Sequence, residues 1–427
     1  MFQHAKPLLT GIVLSPLLLL GTAPLVQAAQ PASGSGSVNG SQTVQREVSF
    51  EVQNVNRSKI PCEADGQTYT VRGSITGPRE ALEDPQAVTL FLHGLSYGEF
   101  FGNFDEQPGY NFAEKQAAAG HVTVTVDRLG YDSSDKPDGT GICFGSRADV
   151  AHQIVTQLRS GDYQADDAAG GPAFEKVVLA GHSVGGIIAQ AEAYSFGDID
   201  GLMVLSYSDT DVSPAAMMAL QTAVAECEAG GGPVEGDSGP GGYVYFGAAT
   251  PEMFIMAHFF TDNADPTVVQ TTASMRNRDP CGDITSYMAA VDTNLANIDQ
   301  IDVPVLVATG GEDAIYPVPA DKQASLLTGS DDVTAVTIPA TGHAVTLHRT
   351  ADEFQAEVSQ WLVDHDFGGR VMPVGGVDTG AGGTAGSEGG NPWYLPVGGA
   401  LLLAGAVVGF GVRGAALRSA RGASRVR

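Results

Sequence analysis

The chain has 427 residues, of which 43% are hydrophobic and 17% charged, and it carries a formal net charge of −27. This length is enough for one large domain with additional terminal segments, and the excess of acidic residues argues against anionic partners such as nucleic acid or acidic lipid surfaces. The four cysteines lack the C-x-x-C spacing that is typical of metal sites, so they predict two disulfides and no metal centre.

The first segment has the features of a secretory signal peptide. Lys6 precedes an apolar run at 8–20, and Val26-Gln27-Ala28 has the small residues of a cleavage site. Residues 1–28 are therefore predicted to be removed on export. The alternative is an uncleaved anchor helix, which the prolines and glycines within the run disfavour.

Hydrophobic patterning divides the central region, residues 46–367, into a hairpin followed by alternating strands and helices. Apolar and polar residues alternate at 48–52 and 69–71, which predicts an antiparallel opening hairpin. Further strands are predicted at 87–92, 122–126, 177–180, 202–205, 303–308 and 334–338, and helices at 112–119, 147–158 and 351–364. This order predicts an α/β fold with a mostly parallel eight-stranded sheet and helices on both faces.

One segment combines a buried strand, a tight turn and a helix. Four apolar residues at 177–180 are followed by Gly181-His182-Ser183-Val184-Gly185 and then by apolar residues of a helix. This pattern is typical of a nucleophile elbow, in which small residues around a serine allow the backbone to turn sharply and expose the hydroxyl. Ser183 is therefore the candidate nucleophile. The alternative is a glycine-rich turn with an inert serine.

The alternation of strands and helices is interrupted once, after the sixth strand. Residues 209–302 contain helical stretches and a glycine-rich run at 230–242, but no clear buried strand. An insertion of this length usually has structure of its own, and we expect a helical lid over the carboxyl ends of the strands, where open α/β sheets bind ligands. Its aromatic and methionine side chains would line an apolar pocket or form the core of the lid itself.

A serine nucleophile needs a base to remove its proton and an acid to orient that base. Asp313 follows the seventh predicted strand, and His343 follows the last one. We assign Asp313 as the acid and His343 as the base. Glu312 and Asp209 remain alternatives for the acid, and His348 remains an alternative for the base.

The carboxyl-terminal residues are predicted to lie outside the folded domain. Residues 368–391 are rich in glycine and poor in large apolar residues, which is typical of a flexible tether. Residues 393–412 carry no charge and are long enough for a transmembrane helix, and the basic tail 413–427 places that end in the cytoplasm. The segment is similar to the surface-sorting signals of Gram-positive bacteria, but Gly398 stands where those signals require threonine. A membrane anchor is therefore the preferred interpretation.

The order of Ser183, Asp313 and His343, each just after a predicted strand, resembles that of the alpha/beta-hydrolase superfamily. Two further motifs stand where that superfamily has them: His93-Gly94-Leu95 after the third strand and residues 127–131 after the fourth. The resemblance covers the whole central region.

The resemblance implies a serine hydrolase that needs no cofactor. Ser183 would attack the substrate, His343 would act as general base and then as acid, and Asp313 would orient His343. The backbone N–H groups of Leu95 and Val184 would hold the oxyanion. The expected reaction is cleavage of a carboxylic ester, or of a related acyl or lactone bond, in a small to medium hydrophobic substrate. The alternatives are a non-catalytic binding protein on the same scaffold and a member with carbon–carbon cleavage, lyase or perhydrolase chemistry.

The four cysteines allow three pairings, and the predicted fold favours one of them. Cys62 lies in the turn of the opening hairpin, on the same side of the sheet as the loop with Cys143 if the first strand runs parallel to the main sheet. Cys227 and Cys281 both belong to the insertion. We therefore predict the disulfides Cys62–Cys143 and Cys227–Cys281, in a protein that is exported and anchored on the extracellular side of the cell membrane.

Overall fold

The structure, a computed structural model, describes residues 42–369 with the exception of 167, 236–238 and 248–249. The predicted signal peptide, the apolar segment 393–412 and the basic tail lie outside the described residues, as does the tether beyond Gly369. Within the described range, no helix is long and apolar enough to cross a membrane. The signal peptide and the anchor therefore stay predictions.

The strands of the described residues form a large sheet of ten strands and a small sheet of two. In chain order they are β1 Thr43–Gln53, β2 Thr68–Pro78, β3 Ala87–Leu92, β4 Thr123–Asp127, β5 Gln164–Ala165, β6 Ala168–Ala169, β7 Lys176–His182, β8 Gly201–Leu205, β9 Tyr243–Val244, β10 Asp279–Pro280, β11 Val305–Gly310 and β12 Val333–Ile338.

The large sheet is mostly parallel, as predicted. Its order is β12-β11-β8-β7-β3-β4-β2-β1-β5-β6, and the six strands from β12 to β4 run parallel to one another. β2 pairs antiparallel with both β4 and β1, so β1 has the direction of the central strands. The eight predicted strands are present, but the predicted number is too low, because β5 and β6 extend the edge next to β1. Each of these is two residues long, too short to show a hydrophobic period.

Ten α-helices accompany the strands in the described part of the chain. They are α1 Arg79–Glu83, α2 Phe112–Ala118, α3 Phe144–Ser160, α4 Val184–Phe196, α5 Pro214–Glu228, α6 Pro251–His258, α7 Pro266–Met275, α8 Cys281–Asn297, α9 Ala320–Ala324 and α10 Ala351–Asp364. The predicted helix at 351–364 has the bounds of α10, whereas α3 is longer at both ends than the prediction at 147–158.

The central strands are buried on both faces, which explains their continuous apolar sequence. In β7, Val177 and Leu179 belong to one hydrophobic core and Val178 and Ala180 to the other, because successive side chains of a strand point to opposite sides of the sheet. Helices α3 and α4 pack on the first face, and α2 and α10 pack on the second. The sheet is therefore the middle layer of three.

The insert, residues 209–302, contains α5 to α8 together with the small sheet. The small sheet pairs β9 with β10, and both strands are buried. The sequence showed no clear strand here because each strand has only two residues. α8 packs against α3 and α4, whereas α5 packs on α8 and α6 packs on α7. The last helix of the insert is thus part of the helical layer on one face of the sheet.

Two disulfides connect loops and helices of the domain. Cys62, in the loop between β1 and β2, is bonded to Cys143, which directly precedes α3. Cys227, near the end of α5, is bonded to Cys281, the first residue of α8. This is the predicted pairing. The direction of β1 accounts for the first bond, because it brings the β1–β2 loop to the carboxyl edge of the parallel strands.

Candidate active site

Ser183 lies in the turn between β7 and α4. Its backbone has φ 54° and ψ −126°, a conformation that residues other than glycine rarely adopt. Two hydrogen bonds hold the turn: the N–H of Ser183 donates to the carbonyl of Leu205 (2.8 Å), and the N–H of Gly186 donates to the carbonyl of Ser183 (2.7 Å). The sharp turn that the sequence pattern predicts is therefore present.

The glycines around Ser183 are required by close packing. A Cβ at Gly181 would collide with the main chain of Gly185, and a Cβ at Gly185 would collide with the carbonyl oxygen of Leu92 in β3. A Cβ at Gly94 would lie 2.8 Å from the Cβ of Ser183. The turn therefore packs directly against β3 and against residues 93–97, which we call the β3 loop.

His343 and Asp313 form a buried pair. Nδ1 of His343 lies 2.8 Å from Oδ2 of Asp313, and neither side chain is exposed to solvent. The other carboxylate oxygen, Oδ1, accepts hydrogen bonds from the N–H groups of Ile315 (2.8 Å) and Tyr316 (3.0 Å). Nε2 of His343 has no hydrogen-bond partner among the described residues. One ring nitrogen is thus held by the carboxylate, and the other is available.

The alternative acids and the alternative base have other surroundings. Glu312 is exposed. Asp209 accepts hydrogen bonds from the side chains of Tyr207 (2.6 Å) and Gln323 (2.7 Å), and burial raises its pKa. His348 accepts two main-chain N–H bonds at Nε2, and its Nδ1 lies 2.8 Å from a main-chain carbonyl. Both ring nitrogens of His348 are therefore occupied.

A small cavity lies at the turn that carries Ser183. Ser183, Leu95 and Val184 share its lining, and its volume is about 20 Å³, which is room for about one water molecule. His343 lies beside this cavity, because its ring centroid is 5.1 Å from that of His258, a further lining residue. Three of the five residues that the sequence assigns to the site therefore line one cavity, and His343, which is paired with Asp313, contacts a side chain of its wall.

Two main-chain donors are available at the cavity. Leu95 belongs to the β3 loop, and Val184 is the first residue of α4. Among the described residues, neither N–H group donates a main-chain hydrogen bond. The first N–H groups of a helix have no partner within the helix, and they carry the positive end of its dipole. The N–H of Val184 can therefore donate to an anionic oxygen, and that of Leu95 has no main-chain partner among the described residues.

A buried ionic network supports the β3 loop. Arg128 donates from Nη2 to the carbonyl of Gly94 (3.1 Å) and from its main-chain N–H to Nε2 of His93 (3.1 Å). Asp283 of α8 pairs with Arg128 (3.2 Å) and with Arg147 (2.9 Å), and all three side chains are at least 96% buried. Burial and the nearby guanidinium of Arg128 lower the pKa of His93 well below its usual range. His93 is therefore a neutral support of the loop.

Two further contacts tie the β3 loop to the insert. Asp279 of β10 accepts hydrogen bonds from the N–H (2.6 Å) and the hydroxyl (3.2 Å) of Ser96. The hydroxyl of Tyr97 lies 2.8 Å from Nδ1 of His258, the last residue of α6. Burial raises the pKa of Asp279 to about 6 and lowers that of His258 well below its usual range. The partners are 183 and 161 positions apart, and no local pattern marks Asp279 or His258 in the sequence.

The described residues include one cluster with the spacing of metal ligands, and it lies away from this cavity. Among the residues that the structure describes, the one group of side chains with the spacing of a metal site lies between α3 and α4 and in the turn that follows α4. The chemistry that the cavity can support is therefore that of a serine, a histidine–carboxylate pair and two main-chain donors.

Comparison with known proteins identifies the family of this fold. The profile of the Alpha/beta hydrolase family matches residues 89–357, which is more than half of the chain. Among solved structures, a thermophilic esterase from Thermogutta terrifontis is similar with a TM-score of 0.51 and 17% identity, over 74% of this chain and 99% of that one. An enol-lactonase from Burkholderia xenovorans LB400 has a TM-score of 0.50 and 14% identity, over 69% and 97% of the two chains. By its family match and its strand order, the chain belongs to the alpha/beta hydrolase family of enzymes.

Proposed function

We propose that the protein is a serine hydrolase that cleaves a carboxylic ester, or a related acyl or lactone bond, in a small to medium hydrophobic substrate. The observation that carries this proposal is the contact of His343 Nδ1 with Asp313 Oδ2 (2.8 Å) beside the cavity that Ser183 lines. A histidine oriented in this way by a carboxylate can accept a proton at its other nitrogen. The relatives whose names include esterase and lactonase activity support the same bond class.

Each residue then has a separate task. The hydroxyl of Ser183 attacks the carbonyl carbon of the substrate while its proton passes to Nε2 of His343. The carboxylate of Asp313 stabilises the imidazolium, and the N–H groups of Leu95 and Val184 donate to the oxyanion. The tetrahedral intermediate collapses to an acyl-enzyme as His343 gives its proton to the leaving alcohol. Water then attacks the acyl-enzyme by the same steps and releases the acid.

An apolar groove next to the cavity supports a hydrophobic substrate. The groove lies between α5 and α6 and has a volume of about 370 Å³. It includes Met218 and Met256, which are 68% and 74% exposed, an unusual position for large apolar side chains without a ligand. The groove and the cavity share Phe246 and Ile315 as wall residues. An acyl chain or an aromatic group in the groove would therefore place its carbonyl carbon near Ser183.

The insert acts as a lid in this proposal. The cavity at Ser183 has room for about one water molecule, so an ester cannot reach the hydroxyl unless a wall of the cavity moves. Phe246 and the side chains of α5 form the wall between the cavity and the groove. Their outward movement would join the two spaces into one substrate site.

The proposed location is the outer side of the cell membrane. The two disulfides support an oxidising compartment, and the apolar segment 393–412 with its basic tail supports an anchor. Full-length protein should therefore sediment with membranes and be cleaved by protease added to intact cells. Recovery of the uncleaved chain from the growth medium would contradict the anchor.

Labelling with a fluorophosphonate probe tests the proposed chemistry. Wild-type protein should be labelled at Ser183 and should hydrolyse esters, whereas Ser183→Ala should lose both properties, with a fall in activity of several orders of magnitude. Ser206→Ala is a matched control, because Ser206 is also buried and also follows a central strand with positive φ (47°). Its labelling and activity should equal those of wild type. Ester hydrolysis by Ser183→Ala at the wild-type rate would end the proposal, and a panel of acyl lengths would define the substrate.

A further inference from the structure

A second group of polar side chains lies between α3 and α4, away from the active site. His152 of α3, Glu192 of α4 and Asp198, in the turn before β8, each have one ligand-type atom within 4.8 Å of the others. Glu192 follows Ser183 by nine positions along α4, which corresponds to about 13 Å along the helix axis. The proposed hydrolysis uses none of these three residues.

Several buried polar atoms in this group lack hydrogen bonds. Both carboxyl oxygens of Glu192, Oδ1 of Asp198 and Nδ1 of His152 have no hydrogen-bond partner among the described residues. Glu192 is completely buried. Buried polar atoms are normally hydrogen-bonded, because an unpaired one loses its hydration without compensation. The concentration of such atoms at one place indicates a shared partner.

The contact between His152 and Asp198 has the geometry of two ligands rather than that of a hydrogen bond. Nδ1 of His152 lies 2.8 Å from Oδ2 of Asp198, yet a proton on Nδ1 would not point at this oxygen, so the nitrogen stays without a hydrogen bond. The lone pair of Nδ1 is therefore directed at a point beside the carboxylate. A cation at that point would contact both residues.

The surroundings hold the three side chains in place. The ring of His152 stacks on Phe196 with centroids 4.1 Å apart and an interplanar angle of 6°, which fixes the direction of Nδ1. Arg159 donates to the main-chain carbonyl of Asp198 (2.7 Å) and to the carboxylate of Asp200, so its guanidinium is paired outside the group. The side chains of His152 and Asp198 are 23% and 27% exposed, which leaves a path from solvent.

We infer that His152, Glu192 and Asp198 form a structural site for a divalent transition-metal cation, and that Zn²⁺ is the best match. One imidazole nitrogen and two carboxylates are ligands that Zn²⁺ uses, and three protein ligands leave a fourth position for water. Sites for Ca²⁺ or Mg²⁺ use oxygen ligands instead. The cation connects α3 to the end of α4 and to the turn before β8, so it stabilises this face of the domain.

The same contacts allow one alternative without a cation. Burial raises the pKa of Glu192 well above its usual range, and the nearby carboxylate of Asp198 adds to this effect. A protonated Glu192 would donate a hydrogen bond to Asp198. Glu192→Gln separates the two explanations, because the glutamine amide keeps a donor for Asp198 but is a poor ligand for Zn²⁺.

The test titrates ZnCl₂ into full-length protein that has been treated with EDTA and exchanged into metal-free buffer, and follows calorimetric heat and melting temperature. Wild-type protein should bind one Zn²⁺ at this site and melt at a higher temperature. Glu192→Gln and His152→Gln should each bind Zn²⁺ at least about 100-fold more weakly and lose the thermal shift. His365→Gln is the matched control, because Nε2 of His365 lies 3.1 Å from Asp332 in a pair without a third ligand. Its affinity should equal that of wild type.

Three results would overturn the inference. The first is a wild-type protein without saturable Zn²⁺ binding. The second is an affinity for Zn²⁺ in both Glu192→Gln and His152→Gln that equals that of the wild type. If Glu192→Gln does not fold, the affinity of His152→Gln alone decides. The third is a thermal shift with Ca²⁺ or Mg²⁺ but not with Zn²⁺, which would refute the assigned class of metal.

Discussion

The substitution Asp313→Asn tests the proposed role of the buried pair most directly. Oδ1 of Asp313 accepts hydrogen bonds from the main-chain N–H groups of Ile315 and Tyr316, so an asparagine must keep its oxygen at this position. The amide nitrogen then takes the place of Oδ2, which lies 2.8 Å from Nδ1 of His343. Nδ1 becomes an acceptor, and the single proton of the neutral ring moves to Nε2.

A ring that is protonated at Nε2 cannot remove the proton of Ser183. We therefore expect kcat to fall by about 10⁴, the loss found for the same change of tautomer in a serine protease. This loss corresponds to about 5.5 kcal/mol of activation free energy, at about 1.36 kcal/mol for each factor of ten. KM should change much less than kcat, because Asp313 orients the base and does not line the cavity.

Steady-state hydrolysis of a p-nitrophenyl ester measures this loss, with circular dichroism to show that the variant is folded. Glu312→Gln is the control, because Glu312 is the adjacent acidic residue and is exposed; its kcat should stay near that of wild type. Asp313→Asn with a kcat within tenfold of wild type would refute the tautomer argument. A larger loss of kcat in Asp209→Asn than in Asp313→Asn would indicate that Asp209, which follows β8, is the catalytic acid.

Three other changes have measurable outcomes. Gly185→Ala should destabilise the fold by about 1–3 kcal/mol or prevent folding, because its Cβ would collide with a main-chain carbonyl of β3. Gly241→Ala, whose Cβ would meet nothing within 4 Å, should be neutral, and equal melting temperatures of the two variants would contradict the packing. The pKa of Asp279 is about 6, whereas its ordinary value is 3.8, so the folded protein binds a proton at this carboxylate more tightly than the unfolded chain does. Protonation of Asp279 therefore stabilises the fold; this contribution is complete below pH 3.8 and is lost as the pH rises through 6. Urea unfolding should show a gain of about 1.4 kcal/mol between pH 7.5 and pH 5 for wild type relative to Asp279→Asn, and parallel pH profiles would exclude this effect. Replacement of both Cys227 and Cys281 by alanine should lower the free energy of unfolding by up to about 4 kcal/mol, since the bond closes a loop with a sequence separation of 54; an unchanged urea midpoint would show that the bond does not form.

The parts of the fold that could be predicted from the sequence are those with local determinants. The turn at Ser183 depends on the glycines within two positions of it, so its pattern is complete in five residues. The central strands show continuous apolar runs because both of their faces are buried. The pairing of Cys62 with Cys143 follows from the direction of a single strand, β1.

The features that escaped prediction depend on contacts between distant positions. Arg128 meets Asp283 across 155 positions, and Ser96 meets Asp279 across 183. Asp283, Ser96 and Asp279 are ordinary in their own segments and acquire a role only when the insert folds onto the β3 loop. The proposed metal site also depends on distant positions, since His152 and Glu192 lie on different helices, and the sequence argument against a metal centre considered the cysteines alone. Two-residue strands such as β5 could not be predicted for a different reason, because an alternation of apolar and polar residues needs more than two positions to be recognised.

The β3 loop is attached on both sides of Leu95 to the helical layer that contains α8. Arg128, which holds the carbonyl of Gly94, is paired with a carboxylate of α8, and Ser96 bonds to the strand β10 that directly precedes α8. Because α8 packs against α3 and α4, an outward movement of α5 that admits an ester would leave Gly94 and Ser96 in place. The N–H of Leu95 would then keep one direction in the open and the closed form. Substrate entry would thus depend on the wall of the cavity alone, and the oxyanion donor would be ready before the ester arrives.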